Sequence, residues 1–405
     1  MDRKLLKPSN INKLKDIRTP FYLYDMKLFR ETVSEVVRLS SLYGIDVHYA
    51  VKANAGKPFL RHMASEGFGA DCVSGNEVLC ALENGFSPDK IAFAGVGKTD
   101  REIETALENG IFALTCESLP EISVINELAG RLGKKADILV RINPDIDAHT
   151  HKYITTGLEE NKFGVSGHDF DALTGLLADC GNVNFKGLHF HIGSQILDVE
   201  EVFGLECRRA KEIARYFEDK GLEISHIDLG GGLGVDYEAP DKHPVPDFEK
   251  WFRTIAEGMT GGKRENPRYH IHIEPGRSIV AQCGSLITRV LFVKNGIDKT
   301  FLITDAGMND LIRPALYGAS HRIVNLTAES DHEGDTAVYD VVGPVCESSD
   351  VWAEGISLPA AMRGDMLAIL SAGAYGQVMA SRYNLRDLAP AVWLDWNGDE
   401  AVLSF

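Results

Sequence analysis

The stretch Val47-His48-Tyr49-Ala50-Val51-Lys52-Ala53-Asn54 predicts a buried β-strand that delivers one lysine to its carboxyl end. The run before Lys52 is rich in apolar, β-branched and aromatic side chains, which is typical of a strand covered on both faces. An amine in such a position suits the capture of an aldehyde, because burial lowers the pKa of a lysine and leaves it nucleophilic. A lysine at a strand end is more often a solvated charge, so the functional interpretation depends on other segments.

Short apolar strands alternate with amphipathic helical stretches from Phe21 to about Glu274. Repeated strand-helix units with short connections are typical of a parallel barrel, and eight such units complete one. We therefore predict an α/β protein built on a (β/α)8 barrel similar to the TIM barrel. The predicted strands are Val47–Val51, Gly69–Val73, Ile91–Ala94, Ala113–Cys116, Asp137–Ile142, Phe185–Phe190, His226–Leu229 and His270–Glu274.

The pattern changes beyond about Ala281, where strands follow one another without long helices between them. Gly, Asn and Asp turns separate these strands, which predicts an all-β C-terminal domain. We place the barrel at residues 30–280 and the β domain at 281–405, with residues 1–29 as an N-terminal segment that joins the β domain by the resemblance described below.

Composition excludes several classes of partner. The chain has 405 residues and a formal net charge of −17, which disfavours nucleic acid and anionic membranes because both repel an acidic surface. No apolar stretch reaches the roughly 18 residues of a membrane span, and the N-terminus lacks the apolar core of a signal peptide. The seven cysteines show no CxxC spacing, so we expect neither a disulfide scaffold nor a metal site, and a cytoplasmic location.

Two further segments add chemistry at predicted strand ends. Gly230-Gly231-Gly232-Leu233-Gly234 follows an apolar strand, and backbone N–H groups without Cβ atoms around them suit a phosphate. Glu274-Pro275-Gly276-Arg277 closes another strand. Its carboxylate could pair with a protonated ring nitrogen, and its guanidinium could pair with a phosphate or a carboxylate.

Six motifs in one order resemble those of the alanine-racemase-fold decarboxylases that use pyridoxal 5'-phosphate (PLP). The resemblance covers the chain from Phe21 to about Arg386, and it implies that the strand near Phe21–Tyr24 joins the β domain. It also implies PLP as the cofactor, carried on Lys52. The motifs are AVKAN (50–54), HIGSQ (191–195), DLGGGLG (228–234), EPGR (274–277), CESSD (346–350) and GAYG (373–376).

The resemblance assigns roles around the cofactor. Glu274 would hold the ring nitrogen in its protonated form, and His191 would stack on the ring. Asp71, with Ser74 nearby, would lie beside the cofactor, although Asn76 stands where the family often has glycine. The expected phosphate ligands are Gly231, Gly232, Ser194, Arg277 and Tyr375.

Substrate recognition is expected from Arg277, Arg313, Tyr317 and Tyr375. Two guanidiniums suggest a substrate with a carboxylate remote from the reacting carbon, which meso-2,6-diaminopimelate has and ornithine and lysine lack. Glu347 would pair with an ammonium of the substrate, and the expected products are L-lysine and CO2. The segments His151–Gly157 and Lys162–Gly164 also resemble those of family members that act on this substrate.

Cys346 lies in the predicted β domain, yet the resemblance places it against the cofactor of a neighbouring subunit as the acid that reprotonates the substrate carbon. A homodimer with shared active sites is therefore implied.

Alternatives remain open at this stage. The same scaffold serves decarboxylases of lysine, ornithine, arginine and carboxynorspermidine, and it also serves racemases, which need a second base. A PLP-binding homologue without catalytic activity is another possibility, although the presence of both Lys52 and Cys346 argues against it, since a carrier needs no proton donor.

Overall fold

The computed structural model describes residues 8–144, 146, 162–262, 268–327 and 335–405. Their contacts divide the chain into two compact units. The first, called the barrel unit below, contains Ser34–Gly234 and Asp247–Gly276. The second, the β unit, contains the chain up to Val33, the segment Val235–Pro246 and everything from Arg277 onward. The segment Val235–Pro246, which belongs to the β unit, is the main difference from the division expected from sequence.

Among the described residues of the barrel unit, eight parallel strands close a barrel, as predicted. Each strand pairs with the next in sequence, and the last returns to the first, with Val47 opposite Ile273. The observed bounds differ from the predicted ones by at most two residues, and those of Ala113–Cys116 are the same. The strands are β2 Ile45–Ala50, β3 Gly69–Cys72, β4 Ile91–Phe93, β5 Ala113–Cys116, β6 Ala136–Arg141, β7 Val183–His189, β8 His226–Asp228 and β9 His270–Ile273.

Helices connect these strands, and local sequence fixes several of their ends. Thr99 and Glu102 form a reciprocal capping box before one helix, and Gly110 ends it with a left-handed φ of 61°. The π-helical turn Val199–Phe203 runs directly into the α-helix Gly204–Asp219. The helices are α2 Met26–Tyr43, which spans the boundary between the units, α3 Lys57–Ser65, α4 Gly75–Glu83, α5 Asp100–Asn109, α6 Leu119–Arg131, α7 Phe170–Asp179, α8 Gly204–Asp219 and α9 Phe248–Thr260.

The barrel interior holds a row of histidines contributed by neighbouring strands. His48 Nε2 lies 3.0 Å from His272 Nδ1, and His272 Nε2 lies 2.8 Å from His226 Nδ1. Burial lowers the pKa of all three, that of His226 to about 4. The row is therefore uncharged near neutral pH, and the barrel is filled by hydrogen-bonded imidazoles as well as by apolar side chains.

The β unit contains a mixed sheet of nine described strands, which confirms the predicted β domain. The N-terminal strand joins it as expected, antiparallel to one strand and parallel to another. The strands Ile323–Asn325 and Val351–Pro359 and the helices Pro8–Lys15, Arg277–Val280 and Arg313–Tyr317 were not predicted. The elements are α1 Pro8–Lys15, β1 Phe21–Asp25, α10 Arg277–Val280, β10 Gly284–Asn295, β11 Thr300–Thr304, α11 Arg313–Tyr317, β12 Ile323–Asn325, β13 Thr336–Val342, β14 Val351–Pro359, β15 Met366–Ile369, β16 Ala391–Asn397 and β17 Glu400–Ser404.

None of the helices in the described part of the chain combines the length and the apolar character needed to cross a membrane. All seven cysteines lie among the described residues and are free thiols, and Cys346 is the exposed one.

Candidate active site

A cavity of about 480 Å³ opens in the barrel unit where the strands end. Four residues singled out from sequence line it, namely Lys52, Asp71, His191 and Glu274. Each lies at or just after the carboxyl end of a strand, where the loops of parallel barrels carry their functional groups. The cavity is also lined by Phe163 of the Lys162–Gly164 segment, and by Arg141 and His189, which the sequence did not single out.

Lys52 lies in the 3-10 turn Val51–Ala53 that directly follows β2. Its Nζ is 3.3 Å from Oδ2 of Asp71. The amine is less buried than expected, because the Lys52 side chain is 38% exposed and only its carboxylate partner is buried, at 1%. The turn after the strand carries the lysine out of the barrel interior, so that the amine opens onto the cavity.

Asp71 at the end of β3 is the buried member of that pair. Burial raises the pKa of Asp71 to about 7, the charge of Glu274 adds to the rise, and Lys52 opposes it. Oδ1 of the same carboxyl has no hydrogen-bond partner among the described residues. Near neutral pH this carboxyl is close to its midpoint, so its charge responds to what binds beside it.

Glu274 follows β9 and is 6% exposed. Its Oε2 lies 3.2 Å from Nε2 of His189, while Oε1 has no hydrogen-bond partner among the described residues. Burial alone would raise the pKa of Glu274, but His189 and Lys52 lower it to well below its ordinary value. The residue is therefore a buried carboxylate with one unused acceptor atom.

Asp228 on the neighbouring strand completes this group, with one of its oxygens within 4.8 Å of one oxygen of Glu274 and one ring nitrogen of His189. Its Oδ1 accepts the Gly230 N–H at 2.8 Å. Burial, followed by the charge of Glu274, raises the pKa of Asp228 well above its ordinary value. Two carboxyls this close in a dry site do not both ionise, so Asp228 keeps its proton and Glu274 carries the charge.

His191 is held by the glycine loop. The Gly231 N–H donates to His191 Nδ1 at 3.3 Å, which leaves the ring proton on Nε2. Burial and the nearby charge of Arg141 lower the pKa of His191 well below its ordinary value, so the ring is neutral. Stacking of this ring on the cofactor stays a prediction.

Two positions of the glycine loop leave no room for a side chain. A Cβ on Gly231 would lie 2.2 Å from the carbonyl oxygen of Glu274, and one on Gly232 would lie 2.7 Å from that of Gly193. Gly232 also has a φ of 113°. The Ile196 N–H donates to the Gly232 oxygen at 2.9 Å, which holds the loop next to the HIGSQ segment that contains Ser194. The expected phosphate ligands of the barrel unit are thus brought together.

These features fit PLP. Lys52 offers the amine that the aldehyde requires, and Glu274 offers an unused, ionised acceptor of the kind that a protonated ring nitrogen needs. The backbone of the glycine loop passes so close to the carbonyl oxygens of Glu274 and Gly193 that no Cβ fits, and a glycine loop after a strand suits a phosphate.

Arg141 at the end of β6 is the main cavity residue that sequence reasoning missed. It pairs with buried Glu117, with Nη1 3.0 Å from Oε1, and its guanidinium lies 4.6 Å from the ring of Phe163. The signal was present, because Arg141 ends a predicted strand at the same end of the barrel as the motif residues. His189 could have been found likewise, since it alternates with His191.

Arg277 and Arg313 come together in the β unit, as the substrate-binding hypothesis requires. Arg277 Nη1 donates to the hydroxyl of Tyr237 at 2.8 Å, and its guanidinium lies 4.9 Å from the ring of Tyr375. The Arg313 guanidinium lies 4.6 Å from the ring of Tyr237. Tyr317 ends the short helix that Arg313 begins. Burial lowers the pKa of Arg313, whereas the pKa of Arg277 is raised against the effect of burial, chiefly by the nearby phenol of Tyr237. Tyr237 was not expected from sequence.

The CESSD loop of the β unit is fixed by its last residue. Asp350 is buried and accepts the N–H groups of Val345 and Met308, each at 2.7 Å. Cys346 is exposed, and Glu347 accepts the hydroxyl proton of Tyr383 at 2.5 Å.

The sequence also singled out Ser74 and two segments of the chain. Ser74 accepts the N–H of Glu77 as the N-cap of α4. The segment His151–Gly157 lies outside the described residues, whereas Lys162–Gly164 lies within them.

Comparison with known proteins adds independent evidence. Residues 30–281 match the family of the pyridoxal-dependent decarboxylase, pyridoxal binding domain. The diaminopimelate decarboxylase of Bacteroides thetaiotaomicron is 51% identical over 93% of this chain and 96% of its own length. Among solved structures, the diaminopimelate decarboxylase from Helicobacter pylori complexed with L-lysine is 38% identical with a TM-score of 0.85, covering 97% of this chain and 95% of that one. The corresponding complex from M. jannaschii is 35% identical with a TM-score of 0.85, covering 97% and 90%. The chain belongs to the pyridoxal-dependent decarboxylases, and within that class to the diaminopimelate decarboxylase family.

Proposed function

We propose that this protein removes one carboxylate of meso-2,6-diaminopimelate, giving L-lysine and CO2, with PLP bound in the barrel cavity. The observation that carries the proposal is the pair of arginines Arg277 and Arg313 in the β unit. Both contact Tyr237, Arg277 at the hydroxyl and Arg313 at the face of the ring. Lysine complexes of two related decarboxylases support the choice of product.

Bound PLP supplies an electron sink for the electron pair that remains when CO2 leaves. Lys52 would hold its aldehyde, and Asp71 fixes the position of that amine. Glu274 would bind the ring nitrogen and, because His189 keeps this carboxylate ionised, favour the protonated nitrogen. The amide group of Gly232, with Ser194, would bind the phosphate, since the Gly231 N–H is already donated to His191.

Substrate choice follows from charge. A guanidinium binds a carboxylate through charge-assisted hydrogen bonds, and a buried guanidinium does so with little competition from water. Meso-2,6-diaminopimelate brings a second carboxylate for Arg277 and Arg313, whereas ornithine and lysine bring only an ammonium at that end. A site with two cations therefore favours diaminopimelate over both.

The proposal includes a homodimer in which Cys346 and Glu347 serve the pocket of the partner subunit. Exposure of Cys346 in the isolated chain supports this, because a proton donor must reach the substrate carbon. Glu347 then offers its carboxylate to the ammonium at the other end of the substrate. A cytoplasmic location is also proposed, and seven free thiols are consistent with a reducing compartment.

The test is an assay of CO2 release by the purified protein with PLP. The panel is meso-2,6-diaminopimelate, L-lysine, L-ornithine, L-arginine and carboxynorspermidine, each measured over a range of concentrations. The highest kcat/KM is expected for meso-2,6-diaminopimelate. A higher value for any other member would replace the assignment with that substrate.

A further inference from the structure

His321, between α11 and β12, makes two hydrogen bonds that fix its tautomer. Its Nδ1 lies 2.8 Å from the carbonyl oxygen of Leu370, and its Nε2 lies 2.8 Å from Nη1 of Arg313. A carbonyl oxygen only accepts, so Nδ1 carries the proton and donates it. Nε2 is then the acceptor for the guanidinium N–H, because a guanidinium only donates.

The contact with His321 does not neutralise the positive charge of Arg313. Arg313 is 5% exposed, and among the described residues no carboxylate lies within ion-pair distance of it. Burial lowers the pKa of His321 to about 3, and the charges of Arg313 and Arg277 contribute to the shift. The imidazole is therefore neutral at physiological pH. The charged and titratable groups around the cluster are Arg277, Arg313, Tyr237, Tyr317, Tyr375 and His321.

Arg313 also keeps an unused donor. Its Nε is buried and has no hydrogen-bond partner among the described residues. A buried N–H of a charged group without an acceptor is costly, and a bound carboxylate would remove that cost.

We propose that His321 is a positioning residue that aims the Arg313 guanidinium without neutralising it, and so makes Arg313 selective for amino acids whose side chain ends in a carboxylate. The inference rests on the proposed function and adds the reason for the selectivity. An aspartate or glutamate at this place would hold the guanidinium equally well, but it would compete with the substrate for the positive charge. A neutral acceptor provides the orientation and leaves the charge to the ligand.

Two substitutions of similar shape separate orientation from charge. His321→Gln keeps a neutral acceptor oxygen within reach of Arg313, whereas His321→Glu replaces it with a carboxylate. His321→Glu should raise KM for meso-2,6-diaminopimelate about ten- to a hundredfold with a small change in kcat, as expected for loss of one charge-assisted hydrogen bond. His321→Gln should stay much closer to the parent. Equal effects of the two substitutions on KM, or no effect of either, would overturn the proposal.

Ligand binding gives a readout that does not depend on turnover. In a Lys52→Ala background, calorimetry should show that His321→Glu weakens the binding of meso-2,6-diaminopimelate at least about tenfold and leaves that of L-lysine nearly unchanged. A parallel loss for both ligands would indicate a structural defect and contradict the selective role. Thermal unfolding of each variant shows whether the introduced buried carboxylate is tolerated.

Nitrogen NMR of the parent holoprotein tests the geometry even if His321→Glu does not fold. The His321 resonance, assigned by its absence in His321→Gln, should show a neutral ring protonated on Nδ1 at neutral pH. It should not titrate until the solution approaches pH 3. A doubly protonated ring at neutral pH would overturn the inference. If the parent instead fails to decarboxylate meso-2,6-diaminopimelate while His321 has the expected tautomer, the proposed function falls and the Arg313 contact stands.

Discussion

His189 Nε2 lies 3.2 Å from Oε2 of Glu274, and both side chains are almost fully buried, at 2% and 5% exposed. His189 ends β7 and Glu274 follows β9, and Asp228 on the strand between them brings its carboxyl close to both. Because Asp228 retains its proton, the negative charge of this group is held on Glu274, where one oxygen remains available. Glu274→Gln removes that charge and keeps the shape of the side chain.

We expect Glu274→Gln to lower kcat with PLP at least about tenfold, because a charge-assisted hydrogen bond in a dry site is worth roughly 1.5 to 3 kcal/mol. The exposed barrel residue Glu108 provides a control, since Glu108→Gln changes the same chemistry at the surface. Steady-state CO2 release measures both variants. Unchanged kcat in Glu274→Gln would show that the carboxylate charge has no part in the reaction.

Lys52 is expected to carry the cofactor. Borohydride reduction of the protein with bound PLP should attach the pyridoxyl group covalently to this residue, because Lys52 presents its amine to the cavity beside Asp71. Peptide mass mapping locates the modification. Lys98 is the internal control, since its amine also borders the cavity but is held by two backbone carbonyls and by Glu121. Modification of Lys98 or of another lysine in place of Lys52 would contradict the assignment.

Arg313→Ala should lose most turnover of meso-2,6-diaminopimelate. Removal of a charge-assisted hydrogen bond in a dry site costs roughly 1.5 to 3 kcal/mol, about ten- to a hundredfold in kcat/KM. Arg363→Ala is the matched control, because Arg363 is exposed in the same unit and packs on Phe292. If Arg313→Ala and Arg363→Ala both keep parental kcat/KM, Arg313 does not bind substrate.

The shared-site hypothesis predicts complementation. Lys52→Ala and Cys346→Ala should each be nearly inactive, yet a heterodimer of the two has one pocket with both defects and one with neither. Half of the dimers in an equal random mixture are heterodimers, so the mixture should recover roughly a quarter of parental activity. Mild denaturation and refolding provides subunit exchange, which native mass spectrometry verifies. Complete exchange without recovered activity would mean that each pocket is built within one chain.

Because of Asp71, the stability of the folded protein should fall as pH rises. Its pKa in the folded protein is about 7, against an ordinary value of 3.8. Between these values the folded cofactor-free protein holds a proton that the unfolded chain has released, so the contribution of Asp71 to the free energy of unfolding falls as pH rises from about 4 to about 7.

Asp71→Asn abolishes this titration, and the free energy of unfolding of the variant should fall less than that of the parent over the same interval. Urea unfolding of both cofactor-free proteins at several pH values measures the difference. An identical pH dependence in the two proteins would show that the pKa of Asp71 is not raised.

Local sequence patterns were sufficient to predict the barrel and the positions of its motifs. Strands such as Ala113–Cys116 and helices such as Asp100–Asn109 follow from hydrophobic period, capping residues and glycine stops, all of which act within a few residues. Strand β14 was missed because its burial alternates irregularly, and β12 because it is only three residues long. Neither gives a clear period, and both depend on pairing with distant strands.

By itself the sequence determined the class of fold, the barrel end that carries the chemistry and the likeness to PLP decarboxylases, since motif order and strand periodicity are local properties of the chain. Only the tertiary structure decided which buried side chains are ionised and which residues contact them. The pairing of Glu274 with His189, the protonation of Asp228 and the neutral contact of His321 with Arg313 each join residues from separate segments. The ionisation of a buried group depends on desolvation and on charges within a few ångströms, and those distances exist only once the chain has folded.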